Sequence, residues 1–121
     1  VAAAAVAEAR KNNWSMSIAV VGISGDLMYF DRLGNTSFAS IDLAIHKARA
    51  AARFRSPTAR FADRLAAGPA NIYLLSFDGF IAGRGGDLIV ADGKVIGAIG
   101  VSGSTAANDE QVTRAGANAI K

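Results

Sequence analysis

Residues 87 to 103 read "DLIVADGKVIGAIGVSG". Two β-rich runs flank Asp92-Gly93, a dipeptide that accepts the left-handed conformations of a tight turn, so they read as an antiparallel hairpin. Along the second run, alternation puts Val95, Gly97, Ile99 and Val101 on one face and Ile96, Ala98, Gly100 and Ser102 on the other. The second face shrinks toward its C-terminal end. Glycine inside a strand marks a place where another backbone or a ligand comes close. After Gly103 a helix is predicted from about Thr105 or Ala106 to Ile120. A glycine-rich turn at a helix N-terminus suits an anion. A nucleotide-phosphate loop, however, needs Gly-Lys-Ser or Gly-Lys-Thr, and a dinucleotide fingerprint needs G-x-G-x-x-G. Neither motif is present, and Asp109 and Glu110 would repel phosphate at the same helix turn.

Upstream, "AAAAVAEARK" predicts a helix to about Asn12, with Ala2, Ala5, Val6 and Ala9 as a small-residue stripe. Residues 16–22 and 27–31 form a second hairpin around Ser24-Gly25-Asp26. Phe38, Ile41, Ile45, Ala48 and Ala52 then step by three and four, which predicts a helix over 38–54. Ser56-Pro57 restarts the chain as another helix, with Ser56 as N-cap and Pro57 at the first helical position, up to Gly68-Pro69. "NIYLLSF" reads as a further strand. The expected architecture is therefore an α/β (α+β) profilin-like sandwich, a five-stranded, mostly antiparallel sheet with flanking helices.

A chain of 121 residues, 51% hydrophobic and 19% charged, suits one domain over residues 1–121 with one continuous core. The formal net charge of +3 does not by itself argue for nucleic acid, and no such partner is expected. The absence of cysteine removes thiolate metal sites and Cys nucleophiles. A lone histidine makes no protein-only zinc site without converging carboxylates, so no metal site is expected. No apolar run approaches the ~18 residues of a membrane span. Beginning at Val1, the sequence reads as trimmed or processed.

Gly85-Gly86, Asp92-Gly93, Val95-Ile96-Gly97, the run Ile99-Gly100-Val101-Ser102-Gly103 and Asp109 together carry a resemblance, reinforced by Lys47-Ala48 and Pro57-Thr58. In these motifs, and along nearly its whole length, the chain resembles the GlcG/HbpS-like family of haem-degrading-type domains. That family also supplies the C-terminal domain of PduO-type corrinoid adenosyltransferases. Two departures stand out: Asp87-Leu88 replaces a short residue and a proline, which alters the pocket rim, and Ser104 replaces a common glycine. The resemblance implies symmetric homo-oligomers larger than a dimer and binding of haem or another small molecule. It inclines the expected location to a bacterial periplasm or cell envelope.

Ligand-binding candidates are Lys47, Thr58, Gly86, Gly100, Ser102, Gly103 and Asp109. For Lys47 and Asp109 the alternative is a structural ion pair, and for Thr58 the alternative is a helix-start hydroxyl. His46 is either an exposed or interface histidine, or a haem ligand or general base. Arg49, Arg53, Arg55, Arg60 and Arg64 fall within sixteen residues and make either a solvated face or a basic stripe for propionates. The leading reading is a small-ligand-binding oligomeric module, accessory to a catabolic or haem-related system, with haem or another small molecule as its ligand. An enzyme acting on a small anionic metabolite is the first alternative, with Lys47 as its electrostatic anchor and Asp109 or His46 handling protons. No catalytic constellation is assembled for it. A purely structural partner domain is the second alternative.

Overall fold

The computed structural model describes residues 1–120; Lys121, the last residue of the expected domain, lies outside the described residues. Its elements are α1 (Ala2–Lys11), β1 (Ser17–Gly22), β2 (Leu27–Arg32), α2 (Ala39–Phe54), α3 (Thr58–Ala66), a 3-10 helix (Pro69–Ser76), β3 (Gly86–Ala91), β4 (Lys94–Ser102) and α4 (Ala106–Ala117). The strands form one antiparallel sheet in the order β2-β1-β4-β3. Both predicted hairpins are present, and Gly25 and Gly93 take the positive φ their turns require, 97° and 76°.

The two faces of β4 sort the helices into layers. Ile99 and Val101 join Ile18, Ile89, Val112 of α4 and Ala5 and Ala9 of α1 in one core. Each large aliphatic side chain buried there contributes about 1.5–3 kcal/mol. On the other face, Ala98, Ala19 and Val21 meet Ala44, Ala48, Ala51 and Ala52 of α2. Small residues on both sides let α2 lie close to the sheet. Gly100 and Gly86 are cross-strand partners beneath it. A Cβ at Gly100 would strike Ala44 O and Ala48 N, and one at Gly86 would lie 2.5 Å from Lys47 O. The expected close approach is therefore backbone on backbone.

Two expectations need correction. The sheet has four strands, because "NIYLLSF" falls largely within the 3-10 helix that begins at Pro69. Its apolar content signalled burial, yet in the isolated chain Leu74 is buried while Ile72, Tyr73, Leu75 and Phe77 are exposed. A continuous apolar run carries no period of its own to separate strand from helix. The helix after Pro57 begins at Thr58, with Pro57 outside it at ψ 139°. Ser56 is not its N-cap: Arg55 turns left-handed at φ 54°, and the Ser56 N–H closes α2 by donating to Ala51 O. Among the described residues, no helix is long and apolar enough to cross a membrane.

Candidate functional site

Lys47 points from α2 past the end of β4 toward the first turn of α4. Its Nζ donates to Val101 O at 2.9 Å and to Asp109 Oδ2 at 3.1 Å. Asp109 Oδ1 accepts from the Ser104 N–H at 3.1 Å, which fixes the turn entering α4. Burial pushes the Asp109 carboxyl above the ordinary carboxylate range, while Lys47 and the Ser104 N–H pull it the other way. Gly85, at φ 120°, passes so close that a Cβ would lie 2.6 Å from Val101 O and 3.1 Å from Lys47 Nζ. The Thr113 hydroxyl lies within hydrogen-bonding distance of Gly85 O and Asp109 O.

Thr58, fully buried at the start of α3, accepts from the Gly86 N–H at 2.9 Å. Its hydroxyl therefore satisfies the edge of β3. Ser102 is buried opposite Ser17, and Gly103 turns at φ 124° against Thr36 Oγ1. Six of the seven ligand candidates, Gly103 excepted, are thus buried, and Lys47, Asp109, Thr58 and Gly86 are joined to α2, α3, α4 and the β3 start by hydrogen bonds.

His46 is exposed on α2 and takes no part in these hydrogen bonds. With Arg49, Ala50 and Arg53 of the same helix it faces Gly79, Phe80 and Ile81 across an open pocket of about 340 Å³. The spacing of 46, 49, 50 and 53 is one helical face. The opposite wall belongs to residues 77–85, an irregular strap between the 3-10 helix and β3. Phe80 anchors that strap by edge-to-face contact with Phe61 at 5.2 Å, and Phe61 in turn contacts Phe54 at 5.3 Å. Arg84 ties its far end, with Nη2 2.6 Å from Asp63 Oδ1 and Nη1 3.0 Å from Glu110 Oε2. His46 and the arginine stripe are visible in the sequence, whereas Phe80 and Ile81 are not. No periodicity marks a strap, and only Asp78-Gly79 hinted at a turn there. Among the described residues, no group of three or more His, Asp or Glu could hold a metal ion.

The pocket is an open cleft between α2 and a glycine-containing strap on a three-layer α+β sandwich. The family described as "Haem degrading protein HbpS-like" matches residues 1–118, and the chain belongs to it. GlcG of Escherichia coli is 37% identical over 100 residues, covering 83% of this chain and 73% of that protein. Among solved structures, a double mutant of HbpS from Streptomyces reticuli superposes with a TM-score of 0.87 at 35% identity, covering 99% of this chain and 81% of that one. A PduOC:heme complex superposes with a TM-score of 0.90 at 25% identity, over 99% and 88% of the two chains.

Proposed function

We propose that this protein is a small-ligand-binding, homo-oligomeric module that takes haem in the cleft between α2 and the 77–85 strap. The observation that carries the reading is the face of α2 that presents His46, Arg49 and Arg53 opposite Phe80 and Ile81. An exposed imidazole is a ligand for iron, guanidinium groups suit propionates, and the apolar wall suits a ring edge. The family description and the haem complex of a structural neighbour support the same ligand. In this reading Lys47, Thr58, Gly86, Gly100, Ser102, Gly103 and Asp109 act behind the cleft, holding α2, β3 and α4 so that its walls stay in place. The exposed apolar side chains of the 3-10 helix are the contact surface of an assembly larger than a dimer.

The test is a titration of the purified chain with haem, followed at the Soret band, with His46→Ala in parallel. A saturable shift of one haem per chain is expected, with loss or displacement of the band in the variant. A spectrum that stays that of free haem would overturn the reading. A saturable shift that is unaltered in His46→Ala would remove His46 as the ligand.

A further inference from the structure

We infer that Arg49 and Arg53 form a preset carboxylate clamp, so that the cleft selects planar apolar ligands by their free carboxylate groups. The inference rests on the reading of this cleft as the ligand site, and it names what that site recognises.

Among the described residues, the cations engaged in ion pairs are Lys11, Lys47, Arg84 and Arg114, and neither Arg49 nor Arg53 takes part in one. The cleft they line holds an imidazole and two guanidinium groups but no carboxylate. Asp26, the acidic residue next to Gly25 in the neighbouring turn, instead accepts from Ser24 Oγ at 3.1 Å. Like charges four apart on a helix repel, so the pair carries a small cost that an anion between them would relieve.

The β1–β2 turn holds the arginines from behind: Arg49 Nε donates to Gly25 O at 3.1 Å. A Cβ at Gly25 would lie 3.0 Å from Arg53 Nε and 3.5 Å from Arg49 Cγ, so both side chains occupy the space that this glycine leaves open. With Nε of Arg49 committed to the turn, its terminal N–H groups are left to donate to a ligand, and the fork is oriented before binding. An oriented guanidinium makes two parallel bonds to a carboxylate and loses little freedom in doing so. Phe80 and Ile81 on the facing wall offer no hydrogen-bonding side chain, which favours a ligand with one apolar edge and one anionic edge.

Haem, haem dimethyl ester and iron-free protoporphyrin separate the role of the carboxylates from that of the iron, with Arg49→Gln/Arg53→Gln as the variant. The expected result is that the wild type binds haem roughly a hundredfold more tightly than the diester, about tenfold for each arginine. The double variant should lose that preference while binding the diester as before. Protoporphyrin should follow haem, since the clamp does not use iron. Equal affinity of the wild type for haem and its diester, or a double variant within about threefold of wild type for haem, would overturn the clamp and leave the haem reading standing. A chain that binds no tetrapyrrole would defeat the haem reading, and the clamp would then be decided by phthalate, a small aromatic dicarboxylate. Shifts in the Nε–H resonances of Arg49 and Arg53 on adding phthalate would sustain the clamp, and unmoved resonances would overturn it.

Discussion

Lys47 Nζ lies 3.1 Å from Asp109 Oδ2, with the two side chains only 8% and 4% exposed, and this contact joins α2 to α4 across the end of the sheet. A buried pair of this kind stabilises little by its presence, because desolvation offsets most of the attraction, but removing one partner leaves the other charge stranded.

Lys47→Met is accordingly expected to destabilise the fold by about 3–5 kcal/mol, measured by urea denaturation. Adding Asp109→Leu should recover part of the loss, so that the double variant costs at least ~1 kcal/mol less than the sum of the singles. It should not recover all of it, since Val101 O loses its Nζ donor in both. Additive losses would show that the two residues contribute independently.

Asp87 gives a pH dependence of defined sign. Burial pushes its carboxyl above the ordinary range, with the Leu88 N–H and Arg114 opposing. The folded state therefore holds this proton more tightly than the unfolded chain. The stability associated with it is fully present below the unfolded pKa and lost as pH rises through the folded one. Asp87→Asn keeps an oxygen for the Leu88 N–H, which now sits 2.7 Å from Oδ1, and removes the ionisation. The variant should gain melting temperature relative to wild type at neutral pH, and the gain should vanish toward pH 4. A difference independent of pH would show that burial of the ionised form is not the cost.

Gly100 and Gly68 test where small size matters. A Cβ at Gly100 meets the α2 backbone, whereas one at Gly68 meets nothing within 4 Å, and Gly68 is extended at φ 163°. Gly100→Ala should cost about 2 kcal/mol or more by lifting α2 from the sheet. Gly68→Ala should be neutral or stabilise by up to ~1 kcal/mol through the unfolded chain. An unchanged melting temperature in Gly100→Ala would remove the close-packing account.

The same residue shows what was legible in the sequence. Alternation along β4 placed Gly100 and Ala98 on one face and Ile99 and Val101 on the other, and the two glycine turns located both hairpins. The period of Ile45, Ala48 and Ala52 found α2. Signals of this sort are local, and each repeats every two or every three to four residues. The cleft was only half legible, because His46, Arg49 and Arg53 share a helical face whereas Phe80 and Ile81 reach it from an aperiodic strap some thirty residues on. Thr58 illustrates the remaining gap: a hydroxyl reads the same in sequence whether it lines a pocket or satisfies the Gly86 N–H.

His46→Ala should leave folding intact, with a stability change within ~0.5 kcal/mol, because the side chain is exposed on α2 and makes no core contact. Thermal unfolding without ligand checks this, and a loss well beyond that range would mean that His46 supports the strap rather than a ligand.

The exposed 3-10 helix leads to the final prediction. Ile72 and Leu75 are 64% and 58% exposed, and Tyr73 and Phe77, which pack edge-to-face at 5.6 Å, are also open to solvent. Four large apolar side chains within six residues form a contiguous patch of the kind that soluble chains cover by association. Leu65, Ala66 and Pro69 border a shallow apolar depression beside them, lined also by Ile72 and Leu75, which gives a second copy a recess as well as a ridge. Sedimentation at micromolar concentration should therefore show a species larger than a dimer. Leu75→Asp should shift it toward the monomer, since seating a carboxylate in an apolar contact leaves a charge without a partner. Leu75 is mostly exposed within one chain, so far-UV circular dichroism should be unchanged. A monomeric wild type, or an assembly indifferent to Leu75→Asp, would mean that this helix is not the contact surface.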